Sequence, residues 1–141
     1  MLYNKQLFKH DPENGSIGDC QRTAIACILN LKPEEVEHFG EKHWLNSVEF
    51  NKAIHSWLEK RNLALVDIAY TYELKFLLEM QEQNNPNCYY MLCGTSGNNT
   101  NHVVVGKGSK IIWDPAIDNS GIIGPASCGN YWVSYLVPME Y

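Results

Sequence analysis

Apolar positions recur at helical spacing in the first half of the chain and gather into short β-branched and aromatic runs in the second. Asp19 is placed to cap a helix from Cys20 to about Leu29, in which Cys20, Ala24, Cys27 and Ile28 share a face. Pro33-Glu34-Glu35 opens a second helix that should end near Phe39-Gly40, because proline suits a first helical position and acids favour the first turn. The clearest amphipathic stretch runs from about Ser47 to Arg61, with Phe50, Ile54, Trp57 and Leu58 on one stripe. Leu63 to Ala69 reads as a strand. A helix follows from about Glu73 to Gln83, closed by Asn84-Asn85-Pro86. Cys88 to Cys93, Val103 to Val105, Ile111 to Trp113 and Tyr131 to Val137 then read as strands. The pattern predicts a single α+β domain over residues 1–141, with N-terminal helices packed on a C-terminal antiparallel sheet.

Composition fits that picture. Hydrophobic residues make up 45% and charged residues 19% of the chain, enough apolar material for a core without staples. The formal net charge is −5 and no run of Lys or Arg occurs, so a nucleic-acid partner is not expected. A small nucleotide ligand stays compatible with the sequence. No segment approaches bilayer-spanning length, and the N-terminal residues hold no apolar run like that of a signal peptide. A cytoplasmic protein without membrane association is therefore expected. The cysteines number five, which suits free thiols better than a disulfide framework. Nothing in the pattern speaks to oligomeric state.

Candidate chemistry begins at Gly18-Asp19-Cys20-Gln21, where a cysteine opens a helix behind a turn-rich loop. Unpaired N–H groups and the helix dipole favour a thiolate at that position, and the thiolate is the attacking species. Cys20 also admits a plainer reading, as a small buried residue at a helix start. Cys27 reads as core. Further on, Asn101-His102-Val103-Val104-Val105 and Ile111-Ile112-Trp113-Asp114-Pro115 flank a glycine-rich turn and form a hairpin. An odd-length loop centred on Gly108 would set His102 directly opposite Asp114, so that the carboxylate fixes the tautomer of the ring. A two-residue loop would shift the register by one and turn Asp114 away. Each residue also has an ordinary reading, His102 at a strand edge and Asp114 in an Asp-Pro turn.

Taken in order, loop-Gly18-Asp19-Cys20-helix, then Asn101-His102-Val103-Val104-Val105, then Ile111-Ile112-Trp113-Asp114-Pro115 resembles the papain-like cysteine peptidases. The closest resemblance is to the bacteriocin-processing, double-glycine leader peptidase type and its small phage and bacterial relatives. It implies a papain-like fold with Cys20 as nucleophile, His102 as base and then acid, and Asp114 as the residue that orients His102. Asn14 stands where the family has a Gln six positions before the cysteine, which implies an oxyanion donor there. Gln21 stands where the family has Gly after the cysteine. The implied partner is a peptide or protein substrate, and no metal or organic cofactor is required.

Other constellations carry less. Cys88 and Cys93 are spaced unlike a common zinc pair and have opposite parity on a strand. The loop Gly94 to Thr100 lacks the P-loop lysine, and reads either as one wall of a substrate cleft or as a solvated turn. Tyr131 and Trp132 suit core packing. Two functions therefore stand at this level. One is a Cys-His-Asp hydrolase of amide, peptide or isopeptide bonds working through a thioester. The other is an inert papain-like module that captures a protein or a small nucleotide.

Overall fold

The computed structural model describes residues 1–139. It is an α+β fold of four α-helices and one five-stranded antiparallel sheet. The helices are α1 (Cys20–Leu29), α2 (Phe39–His43), α3 (Ser47–Glu59) and α4 (Leu74–Asn84). The strands are β1 (Leu63–Tyr70), β2 (Tyr89–Thr95), β3 (Asn101–Lys107), β4 (Lys110–Trp113) and β5 (Tyr131–Pro138), in the spatial order β1-β5-β2-β3-β4.

The alternation of side chains along β2 and β3 builds two cores, one on each face of the sheet. Met91, Val103 and Val105 face a cluster with Ala24, Ile25 and Cys27 of α1 and Ile54 and Leu58 of α3. Tyr90, Leu92 and Val104 face the other way, onto Leu77 of α4 with Tyr131 and Val133. Tyr131 thus has the core role expected of it. The helices do not all cover one face: α4 lies opposite α1 and α3. No helix among the described residues is long and apolar enough to cross a membrane.

Three local features differ from the reading of the sequence. The helix begun at Pro33 is a single 3-10 turn, Pro33–Glu35, and α2 starts where that helix was to end. Val36 and Phe39 are both 1% exposed, and Val36 is extended (φ −109°, ψ 137°), so the chain breaks helix in order to bury both side chains. Asp19 makes no side-chain cap bond to α1. Its carboxylate instead accepts from the N–H groups of Leu7 and Phe8 and pairs with the Arg22 Nε at 3.0 Å. Asn46, unremarked in the sequence, caps α3 by accepting from the Glu49 N–H.

The β3–β4 hairpin departs more instructively. Lys107 pairs with Lys110 and Gly106 with Ile111, so the loop is the two-residue Gly108-Ser109, with Gly108 at φ +58°. That is the loop that should have turned Asp114 away from His102. A bulge between Val105 and Gly106 then pairs Val105 with Trp113, leaving Ile112 as the extra residue. Two one-residue shifts restore the original parity. Continued by one residue, the register sets Asp114 against Val104, a diagonal neighbour of His102 on the same side rather than its direct opposite.

Candidate active site

Three elements converge at one end of the sheet. The N-terminus of α1 brings Cys20, the start of β3 brings His102, and the residue after β4 brings Asp114. His102 Nε2 and Asp114 Oδ1 are 2.6 Å apart, with His102 5% exposed. With Nε2 given to the carboxylate, Nδ1 is the ring nitrogen left for the thiol. The Cys20 side chain lies near enough to the His102 ring to favour its charged form. Cys20 and His102 both line a cleft of about 620 Å³, while Asp114 lies behind the ring, outside the lining.

The electrostatics follow from these contacts. Burial works against an imidazolium at position 102, but the Asp114 hydrogen bond and then the Cys20 partner outweigh it and raise His102 to about 9. The ring is therefore cationic at neutral pH. Burial likewise works against the charge on Asp114, yet the bonds from His102 and from the N–H groups of Ala116 and Gly121 hold its carboxyl below the ordinary range. A second thiol, Cys93, lines the same cleft. Burial, with smaller contributions from Cys20, Cys128 and Asp67, pushes it up to about 12 and keeps it protonated.

Asp114 is positioned by its own turn and by the distant N-terminus. Ala116 N–H donates to Asp114 Oδ1 at 2.9 Å and Gly121 N–H to Oδ2 at 2.7 Å, so the Asp-Pro turn clasps the carboxylate from both sides. Lys5 Nζ donates to the carbonyls of Asp114 (2.7 Å) and Ala116 (2.8 Å) and to Asn119 Oδ1. The Trp113 indole donates to the Asn4 carbonyl at 2.6 Å. No local pattern in residues 1–8 announces this role, because its partners lie more than a hundred positions away in sequence.

Asn14 does not join the group. It is exposed, ends the 3-10 turn Pro12–Asn14, donates to Asp11 Oδ2 at 2.8 Å, and is absent from the cleft lining. Gln6 lines the cleft instead, with its carboxamide donating to the Phe8 carbonyl at 3.0 Å. The loop after β2 reaches the cleft through Ser96, Asn98, Asn99 and Thr100, which gives it the role of a wall. Asn98 donates to Asp118 across that wall at 2.9 Å. Ile17, Trp44 and Phe50 add apolar surface to the lining. Among the described residues no group of three or more His, Cys, Asp or Glu side chains is arranged to hold a metal ion. Comparison with family models, with curated proteins and with solved structures finds no match for the chain.

Proposed function

We infer that the protein is a cysteine-nucleophile hydrolase of papain-like design, acting on amide or peptide bonds. One observation carries the reading. The His102 ring is bonded to a carboxylate on one nitrogen, and it shares a cleft with the thiol at the start of α1, which favours the charged form of the ring.

The chemistry follows from charge. An imidazolium at His102 stabilises a thiolate at Cys20, which attacks the substrate carbonyl carbon. The C–O π pair moves to oxygen, and the resulting oxyanion is met by the Cys20 backbone N–H and by the Gln6 carboxamide. Asn14, exposed and tied to Asp11, is set aside for that task. As the tetrahedral intermediate collapses, the C–N bond breaks and His102 Nδ1 gives its proton to the leaving amine, leaving a thioester on Cys20. Now neutral, His102 takes a proton from water, whose oxygen attacks the thioester. The acid departs and the thiolate–imidazolium pair returns. Throughout, Asp114 holds the ring in one orientation and offsets its positive charge. The cleft lining, which combines amide and hydroxyl groups with apolar side chains, suits a peptide whose backbone hydrogen-bonds to the polar groups.

Iodoacetamide labelling, mapped by peptide mass spectrometry, tests the site. Cys20 should react much faster than Cys88 and Cys128, the two exposed thiols, and His102→Ala should abolish that preference. Cys20 reacting no faster than an unfolded thiol would sink the enzyme reading and leave an inert binding module.

A further inference from the structure

Two residues before Cys20, a single peptide unit is held at both ends by imidazole rings. The Gly18 N–H donates to His10 Nδ1 at 3.1 Å, and the Ile17 carbonyl accepts from His38 Nε2 at 3.0 Å. These are the N–H and the C=O of the same peptide bond. The rings come from different places: His10 from the segment leading into the loop, His38 from the N-cap of α2.

Geometry settles both tautomers. His10 accepts on Nδ1, so its proton sits on Nε2. His38 accepts from the Glu41 N–H on Nδ1 at 3.3 Å and donates from Nε2 to a carbonyl, so it too is the neutral Nε2–H form. The fit is tight. A Cβ on Gly18 would lie 2.8 Å from the His10 Cβ, so only glycine allows that ring's backbone so close. On the far side a Cβ on Gly40 would come within 3.3 Å of the Ile17 side chain.

The next residue, Asp19, is fixed as well, its carbonyl accepting from the Thr23 N–H and hydroxyl. The first turn of α1 has no side-chain cap, and the Asp19 carboxylate points back to Leu7, Phe8 and Arg22. The Ile17–Gly18 peptide is thus one of two consecutive points, with Asp19, at which the entry of the chain into α1 is held.

We propose that His10 and His38 are positioning residues for the Cys20 nucleophile, acting as a pair on the Ile17–Gly18 peptide plane. The proposal rests on Cys20 being the nucleophile. His10→Ala and His38→Ala should slow iodoacetamide labelling of Cys20 by roughly tenfold to a hundredfold, the scale of a sub-ångström to ångström displacement. His10→Asn and His38→Gln should recover most of the rate, because Asn sets an oxygen acceptor near the place of Nδ1 and Gln a nitrogen donor near that of Nε2. Circular dichroism confirms that each variant compared is folded. On the wild-type protein, ¹⁵N-histidine NMR should show both rings as neutral Nε2–H tautomers. A fast wild-type rate unchanged in folded His10→Ala and His38→Ala would overturn this proposal alone, as would a proton on His10 Nδ1. A wild-type Cys20 rate equal to that of an unfolded thiol would overturn the nucleophile reading and this proposal with it.

Discussion

Two polar networks are buried in the molecule, and they end differently. At the end of the sheet beside the start of α1, Asp114 and His102 are bonded to each other, and a thiol stands beside the ring on the wall of an open cleft. On the α4 face, Gln81 is 1% exposed and spends its whole amide on protein: Nε2 donates to the Tyr70 hydroxyl and the Leu77 carbonyl, and Oε1 accepts from the Tyr135 hydroxyl at 2.5 Å. Nearby, the Tyr90 hydroxyl donates to the Gly108 carbonyl, and burial raises the phenols of both Tyr90 and Tyr135 so that they stay neutral. Every buried side-chain nitrogen and oxygen among the described residues has a partner. Burial of polar groups therefore does not mark a functional site. What distinguishes the His102–Asp114 pair is a thiol beside it on the wall of an open cleft, and the proposed function rests on that.

That contrast can be broken most forcefully at its reactive end. Cys20→Ala should lower hydrolysis of a responsive peptide by on the order of a thousandfold or more, with little change in the urea midpoint. A large fall in stability would mean that Cys20 belongs to the core rather than to the cleft. Asp114→Asn should cost about 10²- to 10⁴-fold in rate, since it removes the acceptor that fixes the ring. It should also move the alkaline limb of the pH–rate profile, near 9 in the wild type, to lower pH.

The same shift carries a sign for stability. The folded-state pKa of His102 is raised, so its contribution is complete below the unfolded value of about 6.5 and is lost as pH climbs through about 9. Urea titrations across that window should show stability declining in the wild type and declining less in Asp114→Asn.

Gln6→Ala should slow the reaction by roughly tenfold to a hundredfold through the oxyanion, read as kcat falling with little change in KM. Gln81→Ala sharpens the comparison from the other network. It should cost about 1–3 kcal/mol in denaturant unfolding, because it leaves the Tyr70 and Tyr135 hydroxyls short of a partner, yet leave the Cys20 labelling rate untouched. Smallest of all, Asn14→Ala should stay within about 0.5 kcal/mol and alter neither labelling nor turnover.

How much of this was open to reading from the chain alone varied with range. Helix α1 spans the residues its pattern predicts, α3 and α4 agree within a residue or two at each end, and every expected strand forms. Local apolar periodicity suffices for that, since it records which face each element must bury. Helix detail was less legible. Asp19 looked like a cap by type and position, but three partners from the N-terminal segment and from α1 itself compete for its carboxylate. Asn14 matched an offset from Cys20, and a sequence offset does not say which way a 3-10 turn faces.

The hairpin shows most clearly where the boundary lies. Residue types and order placed a histidine and an aspartate on adjacent strands, which the chemistry of those side chains and the glycine-rich turn between them make legible. Whether they meet depended on a loop length and a bulge whose two register shifts add up to restore parity, and neither shift leaves a signature stronger than the other. Sequence alone thus determined the elements and the candidate side chains of the site, because those follow from local periodicity and side-chain chemistry. Tertiary structure alone decided the convergence: Lys5 on the Asp114 turn, Gln6 in the cleft, and two histidines on the peptide before Cys20. Contacts between residues far apart in the chain are selected by the packing of whole elements, and no local pattern encodes them.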